Sequence, residues 1–85
     1  MKRILPNLKS WRNLRNMVRI DIELYKRCSR RKEDDKALFH ALRADAVLSD
    51  MAQLFPILTS MFVYQHADII GEVERLVSNY SKESA

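Results

Sequence analysis

Lys9, Arg12, Arg15, Arg19, Lys26, Arg27 and Arg30 recur within one short stretch of the chain. Five of these seven are arginine, whose planar fork makes paired contacts to phosphate or carboxylate. On a helical wheel they gather on one side, with Arg15 at the flank and only Glu23 interrupting. The chemistry such a stripe performs is non-covalent recognition of anions. Drawn out along a helix, it suits a nucleic-acid backbone. It can also meet an acidic protein surface, and an anionic membrane surface is the least favoured of the three. No DNA-recognition-helix pattern accompanies the stripe, so base-specific reading is not expected. A charged outer face also serves simple solvation of an amphipathic helix.

Other chemistry finds little material. Phosphate-cradling loops need several glycines, and Gly71 is the sole glycine. His40 and His66 lie far apart, and no His-x-x-x-His or Cys-x-x-Cys spacing occurs. Cys28 is the one cysteine, so it cannot form an internal disulfide. It reads as a small buried hydrophobe in a reducing, cytoplasmic compartment. Glu33, Asp34 and Asp35 fall at an expected helix end, where capping accounts for them. Glu72 and Glu74 stand beside Arg75 on an expected solvated face. The sequence therefore predicts no catalytic residue, no cofactor and no metal site, and a binding protein rather than an enzyme.

The elements that must carry the stripe follow from the same composition. Hairpins need positive-φ turn residues, and the chain has no Asn-Gly or Asp-Gly pair. With two prolines, 47% hydrophobic and 31% charged residues, an all-α chain of long helices is expected. Leu8, Trp11, Leu14, Val18, Ile22 and Tyr25 recur at steps of three and four. They predict a first helix over about 7–31, with Asn7 as N-cap. Arg30, Arg31 and Lys32 followed by Glu33, Asp34 and Asp35 predict a break, with Asp34 or Asp35 capping the next helix.

Helix is expected again over about 34–80, with a break or kink between 44 and 57. Ser49-Asp50 is one candidate cap. Pro56 is the other break signal. The stripe runs in phase from Met51 through Phe62, which favours a kink there. Gln65–Asp68 reads as a polar interruption of the seam or a short turn. Residues 81–85 read as a frayed tail. The basic start Met1–Pro6 has no apolar run of signal-peptide length. The charge-free stretch from Met51 to Ala67 is too short and polar for a membrane span.

The expected architecture is one domain, 1–85: a small antiparallel bundle of three or four helices. Leu48, Met51, Phe55, Leu58, Phe62, Ile69, Val73, Leu76 and Tyr80 supply an apolar seam. So short a chain covers little surface, so self-association, a dimer first, is expected to complete the bundle. Charge is unevenly divided. Residues 1–36 hold twelve Lys and Arg against five Asp and Glu, and residues 37–85 hold three against six. The reading is a regulatory or accessory protein binding nucleic acid through helix 1. Its rival is a protein-interaction subunit or inhibitor whose basic face and seam dock on a larger, acidic partner.

Overall fold

The computed structural model describes residues 7–84. Met1–Pro6, and with them the expectation about a signal peptide, lie outside the described residues, as does Ala85. The described chain is all-helical, with α1 (Leu8–Arg30), α2 (Asp34–Leu54), α3 (Pro56–Gln65) and α4 (Ala67–Ser84).

Asn7 caps α1 as expected: its side chain accepts the backbone N–H of Ser10 at 2.9 Å. The helix ends without glycine. Lys32 takes the left-handed conformation, φ 60°. The Glu33 N–H then donates to the Cys28 carbonyl and the Lys32 N–H to the Ser29 carbonyl, a paired closure that satisfies the last carbonyls of α1. Asp34 and Asp35 are not caps. Glu33 holds the N-cap position with no side-chain cap bond, its carboxylate pairing with Lys36 at 3.0 Å. The two aspartates occupy the first turn of α2, where the helix dipole favours negative charge.

Ser49-Asp50 starts no helix; it lies within α2. The break comes at Phe55 (φ −137°, ψ 67°), because Pro56 excludes helical backbone at the residue before it. The expected kink is thus a stop. Pro56 opens α3 at once, where its missing N–H costs nothing. Phe55 serves both helices, its N–H bonded to Met51 and its carbonyl to Thr59. The turn reading at Gln65–Asp68 holds: α3 stops at Gln65 and His66 joins it to α4. The expected tail is helical, since α4 continues to Ser84.

Contacts between α1 and α2 pair early with late residues: Trp11 meets Phe55, and Asp21 meets His40. These two helices are antiparallel. Along α3 and α4 the order rises with α1, from Trp11–Phe62 to Tyr25–Glu72, so that segment returns in the direction of α1. The α1 face of the core is Trp11, Val18, Ile22 and Tyr25. Ala37, Ala41 and Ala44 oppose it from α2, small enough to let the two backbones approach. Met51, Ile70, Val18 and Val73 are the largest side chains lost entirely from solvent. Each such burial contributes roughly 1.5–3 kcal/mol.

Candidate functional site

The Asn7 cap and the Lys32 closure set the ends of α1, and the apolar stripe between them fixes its rotation. The basic side is thereby turned outward. Lys9, Arg12, Arg19, Arg27 and Arg30 are exposed, over a run of about 32 Å at 1.5 Å per residue. Arg27 and Arg30 stand in the last turn, where the helix dipole favours cations. Lys26 is half-buried and shares Glu23 at 3.5 Å. Among the described residues, none of the five arginines of the stripe has a carboxylate partner. Arg15 departs from the expected pattern. It is half-buried, and its Nε is enclosed with no hydrogen-bond partner, so it stands partly withdrawn from the stripe.

The stripe borders a groove of about 380 Å³ between α1 and the α3–α4 segment. Ile22 and Phe62, both nearly buried, form its floor. Arg19, Glu23 and Lys26 stand on the α1 side, and His66 and Ile69 face them. The His66 ring lies 4.6 Å from the Phe62 ring, which holds it at the junction of α3 and α4. A second concavity continues past Lys26 towards Arg30 and Glu72. There the Tyr25 hydroxyl donates to Glu72 Oε1 at 2.8 Å, tying α1 to α4. Burial, and then the Glu72 carboxylate, push the Tyr25 phenol up from 10.0 to about 12.

A polar cluster that the sequence reading missed ties α1 to α2. Asp21 is only 3% exposed and sits among the apolar residues of α1. Its carboxylate lies 3.1 Å from His40 Nδ1 and 3.7 Å from Arg43 Nε. Phe39 meets the His40 ring edge-on, and the Arg43 guanidinium lies over the Phe39 ring. The signal was present in the sequence: Asp21 follows Val18 by three and precedes Tyr25 by four, inside the apolar stripe. His66 and Cys28 lie elsewhere. Among the described residues, no three His, Cys, Asp or Glu side chains gather as a metal site would need.

The expected seam is mostly spent inside the chain. Leu48, Met51, Phe62 and Val73 are buried, and Phe55, Leu58, Ile69 and Leu76 pack half-buried against the same core. Only Tyr80 of that set is exposed. The reason is that the helices of this chain pack on one another: Trp11 of α1 meets Phe55 and Phe62, and α2 packs against α3 and α4. The other side of α3 leaves one apolar helical face open, Ile57 (77% exposed), Met61 (55%) and Tyr64 (85%) at steps of four and three. No described helix is long and apolar enough to cross a membrane.

The chain matches no protein-family model, no curated protein and no solved structure.

Proposed function

We propose that the chain is a small accessory or regulatory protein, not an enzyme, that binds nucleic acid through the cationic face of α1. One observation carries this reading: Lys9 and four arginines exposed along about 32 Å of one helix, without carboxylate partners among the described residues. Neutralising phosphates releases their condensed counterions, so such a surface gains affinity without reading any sequence. The Asp21 cluster and the Tyr25–Glu72 bond supply rigidity, because they fix the rotation of α1 against α2 and α4. The test is fluorescence anisotropy with a labelled oligonucleotide at low salt. The triple variant Arg12→Glu, Arg19→Glu, Arg27→Glu should lose binding at least a hundredfold with its helical circular dichroism unchanged. Equal binding by the variant overturns the reading.

A second reading, self-association, is favoured by the α3 face. Ile57, Met61 and Tyr64 lie in a stretch from Met51 to Ala67 with no charged side chain. Two copies of this face meet without like-charge contact, whereas the chain as a whole carries +4. Light scattering at micromolar concentration should give twice the 10.0 kDa chain mass, and Ile57→Lys with Tyr64→Lys should return it to one. A monomer in the unaltered protein removes this reading and leaves the first intact.

A further inference from the structure

The groove beside the stripe has features that a phosphate contact alone does not use. A surface for duplex backbone needs cations only, since a duplex keeps its base faces stacked inside. Here Arg19 and Lys26 border a concavity floored by Ile22 and Phe62, with the His66 ring on its far wall. Glu23 stands between the two cations, where a carboxylate opposes phosphate binding. A carboxylate is, however, the acceptor that an exocyclic base amine requires. The ring of His66 is half-buried and held by Phe62 at 4.6 Å, so it offers a fixed planar surface. The volume, about 380 Å³, lies at the small end of ligand sites and is ample for one base.

We infer that this groove receives one unpaired base of a single-stranded nucleic acid, stacked against His66, while Arg19 and Lys26 hold the flanking phosphates. The inference rests on the reading of α1 as a nucleic-acid face and specifies the form of the nucleic acid. The strand runs along α1, its backbone on Arg12, Arg27 and Arg30, and turns one base inward where the rim meets Ile69 and His66. Glu23 accepts from the amino group of that base, which favours cytosine and adenine over thymine and uracil.

The experiment compares, on the full chain, a labelled oligodeoxycytidine with an abasic strand of the same length and charge, and with a duplex. The oligodeoxycytidine should bind at least about fivefold tighter than the abasic strand, the size expected for one stacked base. His66→Ala should bring the two within twofold and leave the abasic affinity unchanged. The first comparison uses the unaltered protein, so it does not depend on how the variant folds. If abasic strand or duplex binds as tightly as oligodeoxycytidine, the groove takes no base, although α1 still binds backbone. If none of the three binds, the reading of α1 fails and the groove inference with it. A strand preference that survives His66→Ala also overturns the inference.

Discussion

Replacing Tyr25 by Phe tests how α1 is fastened to α4, and it does so with a sign that reverses with pH. The phenol is 5% exposed and donates to Glu72 Oε1. Near neutrality the substitution removes that one bond. Glu72 is exposed and regains water, so the loss should be about 1 kcal/mol. At high pH the order inverts. The folded phenol titrates at about 12 against the ordinary 10.0, so the folded state keeps a proton that the unfolded chain releases. Stability from this group is therefore full below about pH 10 and lost as pH rises through about 12. At 1.36 kcal/mol per unit, the loss reaches about 1 kcal/mol by pH 11 and about 2 kcal/mol by pH 12. The Phe variant has no such loss. Urea denaturation followed by circular dichroism, on both proteins from about pH 8 to about pH 11.5, should show the unaltered protein starting more stable and ending less stable. Other groups titrating in this interval cancel in the difference. A stability difference that stays constant with pH would refute the buried Tyr25–Glu72 contact, and with it the wall of the second concavity.

Three further substitutions probe the frame that holds α1. Asp21→Ala leaves His40 and Arg43 without their acceptor and should cost about 1–3 kcal/mol in urea denaturation; no change would mean that the cluster does not join α1 to α2. Gly71→Ala should raise stability by about 0.5–1 kcal/mol, because Gly71 is interior to α4 and nothing lies within 4 Å of an added Cβ; a fall in melting temperature would contradict the packing of α4. Lys32→Gly should stabilise by about 1 kcal/mol in the same assay, relieving a left-handed backbone at a side-chain-bearing residue; destabilisation would mean that α1 ends differently.

What the sequence disclosed was whatever depends on neighbours in the chain. The apolar steps from Trp11 to Tyr25 and the Asn7 cap are local, and α1 falls within a residue of its expected bounds. The first break was legible as a charge reversal but not in its mechanism, since Lys32 in left-handed backbone replaces the glycine usually seen there. The second break was obscured by phase. A one-residue interruption at Phe55 leaves Met51 and Phe62 facing the same core, so periodicity alone resembles a continuous helix. Ser49-Asp50 looked like a cap because cap chemistry is also ordinary surface chemistry. The seam shows a deeper limit. A helical wheel says that Met51, Phe62 and Val73 are covered, but not by what, and the other helices of the same chain supply the cover. Of the candidate site, the exposed arginines were legible from their spacing. The groove was not, because it needs Arg19 and Lys26 on one helix and His66 and Ile69 on another, brought together only by the fold.

The salt dependence of strand binding tests the cationic face most directly. With Lys9, Arg12, Arg19, Lys26, Arg27 and Arg30 each neutralising one phosphate, the logarithm of the binding constant should fall with the logarithm of salt at a slope of about −4. Charge reversal at Arg12, Arg19 and Arg27 removes three of these contacts and should reduce the slope to about −2 or shallower. A steep slope that persists in the reversed variant would place the phosphates elsewhere on the molecule and contradict the role given to α1.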